Sequence, residues 1–270
     1  MKLQLFQVDA FAERVFEGNP AAVVPLEQWP DDAMLQAIAE ENNLSETAFF
    51  APEDNGYRLR WFTPVSEVDL CGHATLASAH VLFNHLGFDH HRVCFHTRSG
   101  ELTVRRAERG FVMDFPALPS EPVTTPGDLI DGLGGRRPLE THAGQDYLAV
   151  FGRPQDVLEI RPDFAALSRL DRRGVIVTAP GEDCDFVSRC FYPGVGVDED
   201  PVTGSAHCQM APLWSSRLAR TELSARQLSA RTGRLDCRVA GARVELLGPA
   251  VTYLQGNLMI DSATTSGKTS

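Results

Sequence analysis

The segment "DLCGHATLASAHVLFNHLG", Asp69 to Gly87, constrains the fold more than any other part of the chain. It reads as a helix that is apolar or small nearly all the way round, and such a helix must be enclosed on every side. Yet it opens on Gly72-His73, directly after a strand pattern, with residues suited to touching a ligand. The second half repeats the device in "DEDPVTGSAHCQMAPLW", Asp198 to Trp214, where Gly204 and Ser205 lead into another helix of small apolar residues. The two glycines stand about half the chain apart. Strands wrapped round each helix would bury it, so the economical fold is α+β with two pseudo-symmetric lobes, each a β-barrel-like sheet around a central apolar helix.

The rest of the chain supplies the strands. Residues 3 to 8 and 21 to 26 read as strands joined through "FEGNPAAV", where Gly18-Asn19-Pro20 forces a turn. Pro30 with Asp31 and Asp32 marks a helix start, Met34, Ala37 and Ile38 give its apolar face, and Asn42-Asn43 ends it. "SETAFFAP" returns to a strand, and "YRLRWFTP" alternates between Tyr57, Leu59 and Trp61 on one face and Arg58 and Arg60 on the other. "DYLAVFG", "GVIVTAPG" and "FVSRCFYP" repeat the strand grammar in the second half, and Ala240-Gly241 marks a late hairpin. Pro212 falls inside the second helix pattern and predicts a kink or an early stop there. The stretch from Pro116 to about Pro138, rich in Pro, Gly and Thr, suits a crossover between domains. The expected organisation is an N-terminal lobe over 1–116, a C-terminal lobe over 117–262 whose last strand could return to the first, and a disordered tail over 263–270.

Bulk properties narrow the partners. Of the 270 residues, 43% are hydrophobic and 23% charged, ordinary for a globular protein, and the net charge of -11 offers no basic footprint for a phosphate backbone. Nucleic acid is excluded as an expected partner. No signal core and no membrane-length apolar run is present, so a soluble cytoplasmic protein without a membrane partner is expected. The six cysteines, at 71, 94, 184, 190, 208 and 237, show no C-x-x-C spacing, and the eight histidines no H-E-x-x-H. Neither a disulfide framework nor a metal site is expected.

A helix N-terminus exposes unpaired N–H groups and a partial positive charge, which suits an anion. Glycine at each entry lets a ligand approach the backbone, and His73 and Ser205 add side-chain donors. Two such ends facing across a cleft would hold a carboxylate. Taken singly, His73 could be a satisfied core histidine, Asp200 an ordinary helix cap and Glu46 a solvated glutamate; the repetition of the device is what favours a site.

At these residues the sequence resembles the PhzF-like family, named for the isomerase of phenazine biosynthesis and related in fold to diaminopimelate epimerase. The matching segments are "DAFAERVFEGNPAAV", "NNLSETAFF", "RWFTPVSEVDLCGHATLASAHVL" and "FVSRCFYPGVGVDEDPVTGSAHC". The resemblance implies two lobes with a site in the cleft between them, and an acid/base isomerase with no cofactor acting on a small carboxylate-bearing substrate. It places the catalytic glutamate on Glu46, the Gly-His pair on Gly72 and His73, and the aspartate and serine on Asp200 and Ser205; Ser45 and Asn19 match neighbouring substrate-binding positions, with Gly204 at the second helix start. A homodimer is the expected assembly. The epimerase relatives use two opposed cysteines. Here Cys71 matches the first, but the second position falls at Asp200-Pro201 and Cys208 lies deeper in its helix, so a thiol pair is not available. A non-catalytic carboxylate-binding or protein-interaction module that kept the fold is the alternative. If Glu46 is the base, burial or a nearby carboxylate such as Asp200 is expected to raise its pKa.

Overall fold

The computed structural model describes residues 1–260; the tail expected over 263–270 lies outside the described residues. The chain divides into two compact units. The first comprises Met1–Phe16, Pro20–Met113 and the segment beginning at Gly248, and the second comprises Glu17–Asn19 and Asp114–Leu247.

In the first unit, β1 (Lys2–Ala10) and β2 (Asn19–Pro25, its first residue counted with the second unit) are followed by α1 (Asp32–Asn42), β3 (Glu46–Glu53), β4 (Gly56–Phe62), β5 (Glu67–Val68) and α2 (Gly72–His85). Then come β6 (Arg92–Thr97), β7 (Gly100–Ala107) and β8 (Gly110–Pro116), the last running past the boundary at Met113. β2 pairs in parallel with β3, β3 antiparallel with β4, and β4 in parallel with β6, which continues through β7 into β8. Every residue of α2 from His73 to Phe83 is buried, and the helix packs on β1 and β3. Each of its larger side chains, such as Leu76 and Leu82, contributes about 1.5–3 kcal/mol by leaving water. α1 covers a smaller cluster with Phe49 and Phe62. Its ends follow the local chemistry: the Asp31 carboxylate accepts from Met34 N–H at 2.7 Å, and Asn43 closes the helix in the left-handed region at φ 49°. Its buried face is Met34, Leu35, Ile38 and Ala39, whereas Ala37 points outward.

The second unit holds β9 (Glu121–Pro122), α3 (Gly127–Gly132), β10 (Glu140–Ala143), β11 (Tyr147–Val150), α4 (Pro154–Leu158) and α5 (Phe164–Leu167). It continues with β12 (Val175–Pro180), β13 (Phe186–Tyr192), β14 (Val197–Asp200), α6 (Gly204–Leu218), β15 (Glu222–Gln227), β16 (Gly233–Ala240) and β17 (Arg243–Gly248). β11 and β12 are parallel, β12 and β13 antiparallel, and β13 pairs with both β14 and β15. The short helices α3 to α5 lay Leu129, Val157 and Leu167 over Val175, Val177 and Phe191. α6 packs on β15 and β16 and buries Ala206 to Ala211 and Trp214.

Pro212 does not stop α6, which runs on to Leu218. A proline in a helix leaves the carbonyl four residues earlier without its partner, and here Leu118 N–H donates to that carbonyl, Cys208 O, at 3.0 Å. The final strand, β18 (Ala250–Met259), returns to the first unit and pairs antiparallel with β1 from Lys2↔Met259 to Ala10↔Ala250. Among the described residues no helix is long and apolar enough to cross a membrane.

Candidate functional site

Glu46 opens β3, opposite Ala21 of its parallel neighbour, and Ser45 precedes it half-buried. The second contributor is the start of α2, where Cys71 occupies the cap position in extended conformation (φ -143°) and Gly72 and His73 form the first turn. The fold thereby sets His73 Nε2 3.0 Å from Glu46 Oε2, with both side chains largely buried. Nε2 and Oε2 do not meet at hydrogen-bonding angles, so the contact is an ion pair by distance more than an aligned bond. On the other side of the ring, His73 Nδ1 lies 3.5 Å from Cys71 Sγ.

Charge in this group is set by the competition between burial and pairing. Burial alone would push the Glu46 carboxyl up, but the charge and contacts of His73, with help from Cys71, hold it below its ordinary value. Burial likewise opposes a charged His73, and is outweighed by Cys71 and Glu46, which raise the imidazole well above its ordinary value. Burial and the Glu46 charge push the Cys71 thiol up to about 11. A thiol at that value is neutral near pH 7, so Glu46 is the charged partner of His73, and the Cys71 contact supports the imidazole beside it. The group is therefore carboxylate, imidazolium and thiol. The expectation that Glu46 would be raised is not met, because its neighbour is a cation.

Glu46, Cys71 and His73 also place three donor atoms within 4.8 Å of one another, as a metal ion would require. A metal binds neutral imidazole and thiolate, so here it would have to displace the protons that His73 and Cys71 hold. A second donor set, Cys94, His96 and Glu101, lies on the β6–β7 hairpin, where the His96–Glu101 contact at 3.6 Å is a cross-strand pair with Glu101 exposed.

The remaining expected residues belong to the second unit. Asp200 ends β14 opposite Cys190. Its Oδ1 accepts from Asn19 Nδ2 at 2.8 Å, and its Oδ2 accepts from the Thr203 hydroxyl. Asn19 also donates to Val202 O at 3.0 Å. Gln227, fully buried, donates to Asp200 O and accepts from Thr203 N–H at 2.9 Å. These bonds fix the turn that delivers the chain into α6. Gly204 begins that helix, and neither backbone nor crowding demands glycine there: an added Cβ would meet only Leu246 Cδ1, at 3.5 Å. Ser205 follows, and its Oγ accepts from Arg173 Nη2 at 3.0 Å.

The model of the PhzC-PhzF family, described as phenazine biosynthesis-like protein, matches residues 8–256. The chain belongs to this family. An uncharacterized isomerase of Pseudomonas aeruginosa is 55% identical over 258 residues, covering 96% of this chain and 99% of that protein. A crystal structure of a PhzF-family phenazine biosynthesis protein from Enterococcus faecalis superposes with a TM-score of 0.94 at 46% identity, covering 96% of this chain and all of that one. A hydroxyproline epimerase from Agrobacterium vitis, at TM-score 0.60 and 10% identity over 95% of this chain and 92% of its own, shares the fold alone.

Within this PhzF-family chain, sequence reasoning missed Asp146, Arg173, Tyr192 and Gln227. The one available signal was a glutamine, Gln209, inside an otherwise small and apolar helix pattern. A buried amide demands partners, and Gln209 finds them on the backbone of Asp146, donating to its carbonyl at 2.9 Å and accepting from its N–H at 3.2 Å.

Proposed function

We propose that this protein is an isomerase that moves a carbon-bound proton on a small carboxylate-bearing compound by acid/base chemistry, without a cofactor, with Glu46 as the base. The observation that carries the reading is the buried Glu46–His73 pair at the start of α2, which keeps the carboxylate ionised beside a fixed cation. The isomerase name of the Pseudomonas aeruginosa relative supports the reaction class.

In this reading Glu46 takes a proton from carbon and becomes neutral while the C–H electron pair passes into the substrate's π system. The same proton then returns from Glu46 to another carbon, so atoms and charge balance. His73 stays an imidazolium throughout and stabilises the negative charge that develops on the substrate. A paired carboxylate is a weaker base than a raised one, and the fixed cation offsets that loss where the charge appears. Gly72 and Ser45 belong to the substrate-binding surface around Glu46. In the second unit, Gly204 and Ser205 serve substrate binding at a helix start, and Asn19 and Asp200 hold that start in shape. A neutral Cys71 thiol and a deeply buried Cys208, itself pushed up to about 12 by burial, argue against a thiol base.

The test is exchange in heavy water. Candidate cyclic and amino-acid carboxylates are incubated with the enzyme in deuterium oxide and deuterium at carbon is followed by mass spectrometry. Glu46→Gln keeps the shape and removes the base, so exchange should fall at least about a hundredfold. Near-normal exchange in that variant, with its fold verified, moves the base elsewhere.

A further inference from the structure

Arg173 lies just before β12, and two observations make it more than a clasp. Its Nε donates to Asp146 Oδ1 at 2.9 Å and its Nη2 to Asp146 Oδ2, so the buried carboxylate grips one edge of the guanidinium. Its Cζ sits over the Tyr192 ring, 4.8 Å from the centroid. The backbone is built for this approach: a Cβ at Gly174 would stand 2.1 Å from Tyr192 Cδ1 and 2.5 Å from Phe191 O. Asp146 is in turn held by Gln209 from the interior of α6. A structural staple would be complete with these contacts.

The contact beyond the staple goes to Ser205, whose Oγ accepts from Arg173 Nη2. A hydroxyl that accepts from a guanidinium cannot aim its own hydrogen back at that group. The carbonyl one turn earlier, Pro201 O, already accepts from Ser229 Oγ at 2.8 Å. Ser205 Oγ makes no bond back to that carbonyl, unlike Thr75 and Ser78 of α2, which donate to the carbonyls of Cys71 and Ala74, so its hydrogen is available to be donated outward, beside the N–H groups of the first turn of α6 and next to a guanidinium that is about a third exposed.

We infer that Arg173 is the positioning residue of Ser205: it fixes that hydroxyl as a donor and adds a cation at the helix start, so this surface of the second unit takes an oxyanion, the carboxylate of the substrate class. The inference rests on the substrate-binding role given to Ser205 above. Asp146, Tyr192 and Gln209 hold the guanidinium where it can do this.

The experiment reads anion affinity without needing turnover. Inorganic sulfate is titrated calorimetrically into the full chain at low ionic strength, with wild type, S205A, R173M/D146N, the triple variant and R173K. Pairing R173M with D146N avoids leaving a buried carboxylate unpaired. Sulfate affinity should fall about tenfold or more in R173M/D146N, the scale of losing one charge-assisted hydrogen bond. S205A should fall similarly, and the triple variant should be no weaker than the weaker of the two, because the two groups act as one. R173K, which cannot span Asp146 and Ser205 together, should recover part of the affinity. Wild-type affinity in folded R173M/D146N, strictly additive losses, or no sulfate binding by wild type overturns the inference. If R173M/D146N fails to fold, R173K decides, and affinity equal to wild type overturns it. With a carboxylate active in the exchange assay, R173M/D146N should raise KM and leave kcat within a few-fold. Absence of exchange with every carboxylate would sink the isomerase reading and leave the sulfate result standing.

Discussion

Glu46→Gln should change how stability depends on pH, in a direction fixed by the ion pair. In the wild type, His73 is raised above its unfolded value of about 6.5, so its contribution is fully present below that pH and is lost as pH rises through the folded value. Glu46 is lowered, so its contribution is present above about 4.3 and is lost as pH falls through the folded value. Between those limits the pair adds no slope. Without the Glu46 charge, burial dominates at His73, since the thiol at about 11 offers no charge of its own. The protein already displays a buried imidazole without a carboxylate partner twice: burial, joined at His80 by the charge of His85, lowers His80 and His207 to about 4. In E46Q the unfolded chain then binds one more proton than the folded chain below pH 6.5, and stability falls by about 1.4 kcal/mol per pH unit. Denaturant unfolding at stepped pH should show the gap between wild type and variant widening by roughly 2 kcal/mol from about pH 6.5 to about pH 5. His80 and His207 tilt both curves equally and cancel in the difference. Parallel curves would refute the ion pair as the source of the histidine's charge.

Two further substitutions test the surroundings. Cys71→Ser should keep turnover within a few-fold, because the thiol is held neutral, and should leave the urea midpoint near wild type: serine is a strong helix cap, worth about 1 kcal/mol, which offsets the lost thiol packing. A loss of several orders of magnitude in turnover would revive a thiol mechanism. Gly174→Ala should destabilise the fold by about 1–3 kcal/mol through the clash with Tyr192 and Phe191 O, read as a lower denaturant midpoint. An unchanged midpoint would mean that the tyrosine ring has room to move.

Local chemistry made much of the fold legible. The Asp31 cap and the Asn43 end of α1 act through neighbours in sequence, and the turn after Ala240 carries its own glycine at φ 61°. Both central helices were visible because enclosure on all sides requires an unbroken run of small and apolar residues. Where the reading failed, the cause lay far away in sequence. Nothing near Pro212 reveals that Leu118 takes the carbonyl that the proline abandons. α3, α4 and α5 span only six, five and four residues, too short for a helical period to emerge, and their formation depends on the strands they cover.

The candidate site divides along the same line. Residue types at Glu46, Gly72, His73, Asp200 and Ser205 could be read from the chain, but the charge state of Glu46 could not. A glutamate in apolar surroundings is expected to be raised, and burial does act on Glu46 in that direction. What reverses it is chiefly His73, whose Nε2 lies at 3.0 Å, with help from Cys71, both at the start of a different element. The same contact separates His73 from His80 and His207, since all three are buried and only His73 has a carboxylate beside it. Burial therefore makes two of these histidines neutral and inert to acid down to about pH 4, while pairing makes the third a cation at the mouth of α2. The chemistry proposed for this site follows from that difference in partner, because a charged imidazole beside an ionised carboxylate can stabilise charge on a substrate while its neighbour accepts the proton.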